Sequence, residues 1–253
     1  MNFARRKSII WDFAVTDLKI RYRKSILGFL WTILEPLLFL SVLYVVFTNV
    51  FENKIEYFAL YLLLGIIMWN MLVRGTQMGM NGIISRSGLL TKIYIPTSIP
   101  GISSTLTALI MFTFEMTVFG VFLVAFQFIP PYTIIIFPLI VILETILIVG
   151  LNLPLSVINV RVRDIQFIWN IVLHAGFFLH PVFYKMEILP KEIQNILQFS
   201  PMVKILNFAH DAVLYGKLPT VQDSLIAIIG TLFVLGLGYL VFRKFSSRIM
   251  EEI

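Results

Sequence analysis

Six long apolar runs occupy most of this 253-residue chain, and lysine and arginine cluster in alternate gaps between them. Each run reaches the about 20 residues that an α-helix needs to cross the hydrocarbon core of a bilayer. Hydrophobic residues make up 58% of the chain and charged residues only 13%, so the sequence predicts an all-α polytopic membrane protein. The six predicted transmembrane helices cover residues 28–51, 57–82, 102–128, 133–158, 165–184 and 221–242.

The basic residues predict which side of the membrane each gap occupies. With both termini in the cytoplasm, most lysine and arginine residues lie inside, as the positive-inside rule requires. The net charge of +6 then fits loops that face anionic lipid, and no nucleic-acid partner is needed to explain it. The predicted inside set is Arg5, Arg6, Lys7, Lys19, Arg21, Arg23, Lys24, Arg86, Lys92, Arg161, Arg163, Arg243, Lys244 and Arg248. The predicted outside set is Lys54, Lys185, Lys191, Lys204 and Lys217.

Few residues lie outside the six runs, which predicts a single membrane domain over residues 1–253. At its start, polar residues recur at helical spacing beside an apolar stripe that includes Trp11, which predicts an amphipathic helix in the cytoplasmic interface. Between spans five and six, two apolar pieces near 188–199 and 202–214 are too short to cross the membrane. They predict a re-entrant helix pair. The domain therefore divides into 1–27 (interfacial helix), 28–184 (spans one to five), 185–220 (outer re-entrant segment) and 221–253 (span six and tail).

Residues 83–101 form the longest internal connection on the cytoplasmic side. Pro96 and Pro100 limit any helix there, while Leu89, Leu90 and Ile93 are unusually apolar for a loop. A short helix with exposed apolar residues predicts either docking to a protein partner or contact with the bilayer surface. The segment by itself leaves both interpretations open.

The chain lacks the motifs of several enzyme classes. There is no G-x-x-x-x-G-K-[ST] phosphate loop, since the Gly216-Lys217 pair is followed by Leu218. There is also no zinc-protease motif around any histidine and no G-x-S-x-G nucleophile motif. We therefore predict no catalytic residue, no metal site and no cofactor in this chain.

Polar residues within the spans are candidates for function, because charges in hydrocarbon are costly. Glu115 lies within span three and Glu144 within span four, where Asn152 shares its helical face. One interpretation is a pore wall of aromatic rings and carboxylates, and the other is packing between helices. Packing is the more usual role for phenylalanine, whereas the two carboxylates are expected to face a polar cavity. The pore-lining candidates are Phe112, Glu115, Phe119, Phe122, Phe126, Glu144, Asn152, Phe177, Phe183 and Tyr184.

Two further charges predict a buried ion pair. Glu35 lies about seven residues above the cytoplasmic start of span one, and Arg74 lies at a comparable distance from the cytoplasmic end of span two. Antiparallel neighbours at equal depth can compensate each other's charge. We therefore predict contact between Glu35 and Arg74.

Five motifs together resemble one family of membrane proteins. They are KIRYRKSILGFLWTILEP at 19–36, Asn81 with GLLTKIYIP at 88–96, NVRVRD at 159–164, PVFY at 181–184 and FSP at 199–201. Their order and positions resemble the ABC-2 type exporter permeases, and within them the branch that exports O-antigen, capsule and teichoic acid polymers. The chain departs mildly from the family pattern at His180, where a small residue is more usual, and at Thr91, where lysine is common.

The resemblance implies a homodimer in the cytoplasmic (inner) membrane, with six spans per subunit, that exports a lipid-linked polysaccharide. It also implies two copies of a separate ATPase subunit that binds ATP and magnesium. Two alternatives stay open: a permease of this family for another amphiphile such as a drug or lipid, and a proton-coupled secondary transporter that uses Glu115 and Glu144. The residues expected to contact the ATPase are Gly88, Leu89, Leu90, Lys92, Ile93, Arg161, Arg163 and Asp164.

Overall fold

The computed structural model of the chain describes residues 3–23, 25–49, 55–92 and 95–246, in which all regular secondary structure is helical. Four single 3₁₀ turns and one π turn, at Asp211–Tyr215, join or extend the α-helices. The α-helices are α1 (Phe3–Tyr22), α2 (Trp31–Asn49), α3 (Phe58–Asn81), α4 (Ser87–Leu90), α5 (Ile99–Ala125), α6 (Phe137–Arg161), α7 (Ile165–Leu179), α8 (Lys191–Leu197), α9 (Pro201–His210) and α10 (Val221–Ser246).

Five helices in the described part of the chain are long and apolar enough to cross a membrane, which makes this a multi-pass membrane protein. They are α2, α3, α5, α6 and α10. The fifth predicted span differs: α7 has only 15 residues and is about 22 Å long at 1.5 Å per residue. It ends because His180 precedes Pro181, which disfavours helical backbone at His180, and His180 is in fact extended.

Helix α3 forms the centre of the bundle. In its most apolar 18-residue window 83% of the residues are buried, against 17% to 33% in the other four long helices. It packs against α5 and α6, with α2 and α7 on further sides. Gly75 and Gly79 permit the close approach of α6, because a Cβ added at Gly79 would lie 2.2 Å from Cγ of Asn152. This pair of glycines therefore joins two helices of the same chain.

Helix α10 packs closely along α6. A Cβ added to Gly238 would lie 2.1 Å from the carbonyl oxygen of Gly150, so only glycine fits at this crossing. On the predicted outer side, α9 is largely buried against α3, α6 and α10. Its last residue, His210, donates a hydrogen bond from Nε2 to the Tyr61 carbonyl oxygen at 3.0 Å.

Helix α1 lies against α5 on the predicted cytoplasmic side. Ala14 is fully buried there, and its carbonyl oxygen accepts a hydrogen bond from Thr107 Oγ1 at 3.4 Å. Asp17 forms an ion pair with Arg86, which ties α1 to the connection that follows α3. Trp11, also in α1, remains exposed.

Candidate functional site

An open groove of about 680 Å³ lies between α2, α3 and α7. Most of its surface is apolar, but it contains several aromatic rings and a small set of polar side chains. Helix α2 contributes Trp31, Glu35, Leu38, Phe39 and Val42; α3 contributes Trp69, Asn70, Val73 and Gln77; α7 contributes Leu173, His174, Phe177 and Phe178.

The aromatic residues of the groove form a connected surface. The rings of Phe39 and Phe177 have centroids 5.4 Å apart, and the ring of Phe178 stands perpendicular to that of Phe177 at the same distance. Trp69 packs edge-on against Phe177 from α3. Since the Phe39 and Phe178 side chains stay exposed, their ring faces are available to a ligand in the groove.

The polar side chains of the groove are held in place by neighbouring groups. His174 Nδ1 donates to the carbonyl oxygen of Asn170 at 2.7 Å, because a carbonyl can only accept. Gln77 Nε2 donates to Asn170 Oδ1 at 2.8 Å. These bonds fix the two side chains beside Asn70 and Glu35 on the groove surface. The groove thus combines flat apolar faces with hydrogen-bonding groups.

An ion triad lies behind the groove, and Glu35 is the member that lines the groove surface. Arg74 Nη2 lies 3.0 Å from Glu35 Oε2, and Arg74 Nη1 also bonds to Glu115 Oε1. The side chain of Arg74 is 5% exposed and that of Glu115 is 0% exposed, whereas that of Glu35 is 58% exposed. Arg74 therefore connects a carboxylate inside the bundle to a carboxylate on the groove surface.

The sequence predicts the contact between Glu35 and Arg74 but not the third member, Glu115. Helix α5 has 27 residues, about 40 Å at 1.5 Å per residue, which exceeds the hydrocarbon thickness of about 30 Å. Because the helix is longer than the hydrocarbon core, counting residues along it does not tell how deep Glu115 lies in the bilayer. The available signal was charge: Arg74 and Glu115 are oppositely charged residues within predicted spans, and buried charges are usually paired.

The α5 pore candidates lie elsewhere than in the groove. Phe112, Glu115 and Phe119 are buried inside the chain. Phe122 is half-buried and Phe126 exposed near the C-terminal end of α5, where their rings stack at 6.2 Å. This placement favours the packing interpretation for the phenylalanines.

Of the outer pore candidates, only Phe177 lines the groove. Phe183 and Tyr184 are buried beside it, with the rings of Phe177 and Phe183 5.4 Å apart. The hydroxyl of Tyr184 donates to the Phe178 carbonyl oxygen at 2.9 Å. Phe183 and Tyr184 therefore support Phe177 and Phe178 of the groove from the buried side.

The expectation that Glu115 and Glu144 face a polar cavity requires correction, because both are fully buried between helices. Glu115 is compensated by Arg74, as described above. Both carboxylate oxygens of Glu144 lack a hydrogen-bond partner among the described residues. Asn152, on the same helix, donates from Nδ2 to Gly75 O at 3.1 Å and Thr105 Oγ1 at 2.9 Å, so it joins α6 to α3 and α5.

The residues predicted to contact the ATPase divide into exposed and buried ones. Gly88, Leu89 and Lys92 are exposed around α4. Leu90 is only 1% exposed because it packs against Ile83, Val157 and other residues of this chain. It is therefore a core residue rather than a surface contact, which corrects the expectation from the sequence.

Two parts of the predicted ATPase contact lie beyond α4. Ile93 lies outside the described residues. Arg161 at the end of α6 is exposed, as are Arg163 and Asp164 between α6 and α7. The guanidinium of Arg161 lies 4.8 Å from the ring centre of Phe245 in α10.

A bundle of long apolar helices with an open groove that carries aromatic and polar side chains defines the chain as a multi-pass membrane protein. The sequence profile of the ABC-2 type transporter family matches residues 13–214. The chain therefore belongs to the ABC-2 type transporter family. Membership makes it the transport subunit of an ABC transporter, whose energy comes from an ATP-binding partner.

Individual proteins are also similar to this chain. The chain is 29% identical over 250 residues to the O-antigen export system permease protein RfbA of Myxococcus xanthus, covering 98% of this chain and 96% of that protein. It is 25% identical over 236 residues to the protein of the same name from Klebsiella pneumoniae, covering 93% and 91%. The similarity thus extends over nearly the whole length of each protein.

Proposed function

We propose that this chain is the permease subunit of an ABC exporter that moves lipid-linked O-antigen polysaccharide across the cytoplasmic membrane. The observation that carries the proposal is the groove between α2, α3 and α7, with aromatic faces beside Glu35, Asn70 and His174. Sugar rings offer apolar faces for aromatic side chains and hydroxyls for polar ones. Weak contacts of this kind suit a polymer that must enter and leave the transporter.

We propose six crossings, with both termini in the cytoplasm. Five are the long helices, and the sixth consists of α7 together with residues 180–184, which extend it toward the outer surface. Helix α1 then lies in the cytoplasmic interface with Trp11 toward lipid, since aromatic residues favour that depth. Helices α8 and α9 form the re-entrant pair at the outer side.

We propose a homodimer in which the groove of each copy faces its partner. Lipid cannot supply hydrogen bonds to Glu35, Asn70 and His174, so the groove is unsuited to face hydrocarbon. Two-fold pairing is the commonest symmetry of oligomers. It would enclose the two grooves as one path between the subunits.

We propose two ATPase subunits on the cytoplasmic side, which bind the ATP and magnesium. Their contacts are Gly88, Leu89 and Lys92, together with Arg163 and Asp164. Because the loop that carries Arg163 and Asp164 leads directly into α7, movement of the ATPase can reach a helix that lines the groove.

Two other functions are less well supported. A secondary transporter would require titratable carboxylates open to water, and the burial of Glu115 and Glu144 does not provide them. A permease for another amphiphile would use the same groove, and its polar side chains count against a purely apolar cargo. Export of a sugar polymer therefore explains more of the groove.

The test replaces two exposed groove rings at once. Phe39→Ala with Phe178→Ala is expected to reduce surface O-antigen at least fivefold, measured by immunoblot in cells that also produce the ATPase. Phe39→Leu with Phe178→Leu is expected to restore bulk but not export, since leucine has no ring face.

A matched pair at Phe167 and Phe233, which are exposed outside the groove, is the control and should leave export unchanged. Full export by both double variants at Phe39 and Phe178, with normal protein levels, would contradict the proposal.

A further inference from the structure

The charged side chains that line the groove indicate which kind of polymer it accepts. Glu35 is the one acidic side chain among the described residues that line it, and no lysine or arginine side chain does so. His174 is the one histidine among these described lining residues. A molecule in the groove therefore meets a carboxylate without an accessible permanent cation.

Arg74 does not add an accessible positive charge to the groove, although it lies directly behind Glu35. Its two terminal nitrogens are bonded to Glu35 and Glu115, and its side chain is almost fully buried. A phosphate or carboxylate group in the groove would have to displace Glu35 to reach it. The buried Glu115 holds the guanidinium in place and thereby positions Glu35.

The free oxygen of Glu35 gives the groove its polar specificity. Oε2 accepts from Arg74 at 3.0 Å, which leaves Oε1 of this half-exposed side chain as an acceptor. A carboxylate accepts hydrogen bonds and cannot donate them. Its best partners are hydroxyl or amide donors, and its worst are other anions, which are repelled more strongly in a medium of low dielectric constant.

From this arrangement we infer that the exporter selects uncharged glycans and discriminates against polymers that carry phosphate or uronic acid groups. The inference rests on the proposed function and adds the charge class of its substrate. Glu35 is the residue that contacts the sugar, and Arg74 and Glu115 are positioning residues that act through it.

The experiment compares two polymers in cells that produce the permease with its ATPase. One strain makes a neutral polysaccharide on the lipid carrier and the other makes a uronic-acid polysaccharide on the same carrier. Surface polymer is measured against intracellular polymer. Wild type is expected to export the neutral polymer at least tenfold more efficiently, and Glu35→Gln is expected to reduce that ratio to threefold or less.

A second variant leaves the triad intact. Leu38 lines the groove one helical turn from Glu35, so Leu38→Lys adds a cation there and should raise export of the acidic polymer. Leu38→Gln changes the same groove residue without adding charge, so the difference in export ratio between Leu38→Lys and Leu38→Gln measures the effect of the cation alone. Asp12→Asn removes a carboxylate of α1 outside the groove and should keep the wild-type ratio.

The outcomes separate the inference from the proposed function. No export of either polymer by wild type, with the ATPase present, would contradict the function itself. Efficient export of both polymers by wild type, or ratios unchanged in Glu35→Gln and Leu38→Lys, would overturn the charge selection alone. Variants that alter dimer formation but not polymer choice would show that a second copy fills the groove, which also overturns it.

Discussion

At the scale of single residues, the ion triad shows how one arginine is accommodated in an apolar bundle. Arg74 is bonded on both sides, by Glu115 from the interior and by Glu35 from the groove. The two acids differ in exposure, and this difference determines what each contributes. A buried charge that loses its partner costs more than an exposed one, because water cannot replace the lost bond.

This asymmetry predicts which second substitution rescues the loss of Arg74. Arg74→Leu should destabilise the protein by about 3–5 kcal/mol, because Glu115 is left buried without a partner. Adding Glu115→Gln should recover most of that loss, whereas adding Glu35→Gln should recover little, since water reaches Glu35. The measurement is thermal unfolding of the purified proteins in detergent. Equal rescue by Glu115→Gln and Glu35→Gln would contradict the claim that Glu115 is the buried partner of Arg74 and Glu35 the exposed one.

His210 gives a prediction about pH at the same scale. Burial lowers the pKa of His210 to about 3, whereas an unfolded histidine titrates near pH 6.5. Between these values the unfolded chain binds a proton that the folded chain does not. The contribution of His210 to stability is therefore complete above pH 6.5 and is lost as the pH falls toward 3.

The difference in unfolding free energy between wild type and His210→Phe is expected to shrink as the pH is lowered from 7.5 to 5. The slope of this free-energy difference against pH should approach about 1.4 kcal/mol per pH unit below pH 6. A constant difference between wild type and His210→Phe would exclude His210 as the titrating group.

At the scale of elements, glycines set how closely the helices approach. Gly79 faces Asn152 across the contact of α3 with α6, and Gly238 faces Gly150 across the contact of α6 with α10. Helix pairs in membranes rely on such small residues, because lipid provides little hydrophobic driving force for their association. In this chain the glycines bring helices of one subunit together.

The contact of α6 with α10 provides a matched test. Gly238→Ala would place a methyl group 2.1 Å from the Gly150 carbonyl oxygen, so the helices must separate at a cost of about 1–3 kcal/mol or more. Gly236→Ala lies on the same helix with no atom within 4 Å of the added carbon. We expect a lower unfolding temperature for Gly238→Ala and no decrease for Gly236→Ala. Similar temperatures for both variants would show that this crossing is not tight.

Helix α4 offers a second matched pair, because adjacent leucines differ in burial. Leu89 is 37% exposed and Leu90 is 1% exposed. Leu89→Asp should abolish co-purification of the ATPase and export while leaving the unfolding temperature nearly unchanged. Leu90→Asp should lower the unfolding temperature, because it buries an unpaired charge. Normal ATPase binding by a folded Leu89→Asp variant would place the contact elsewhere.

At the scale of the whole molecule, the outer surfaces of the bundle differ in character. Between Leu225 and Phe233 the exposed residues of α10 are all apolar, which suits lipid. The side formed by α2 and α7 carries Glu35 and His174 among its exposed residues. Only the second surface contains groups that hydrocarbon cannot satisfy, which is why we place the partner copy there.

The absence of cysteine from the chain makes this arrangement testable by cross-linking. Co-expressed Leu38→Cys and Ile171→Cys chains should form dimers with a short bifunctional thiol reagent in membranes, because both positions lie on the surface of α2 and α7. Ile229→Cys in α10 is as exposed as Ile171 and should give no dimer with Leu38→Cys. Equal yields from both pairs, or dimers only through α10, would contradict the proposed pairing.

The sequence by itself determined the all-helical membrane architecture, the position of five long spanning helices and the family. These follow from length and hydropathy along the chain, because the bilayer imposes both on every helix separately. It also predicted the contact of Glu35 with Arg74, since two charges at similar depth in neighbouring helices have few other partners.

Only the tertiary structure decided which way each helix faces and which residues meet. Hydropathy in spans is nearly uniform around the helix, so the sequence does not reveal that Glu115 turns inward to Arg74 or that Leu90 is buried while Leu89 is not. Helix rotation depends on side-chain packing between elements far apart in sequence, such as Gly79 against Asn152. For the same reason the groove, formed by three non-consecutive helices, became visible only when their packing was known.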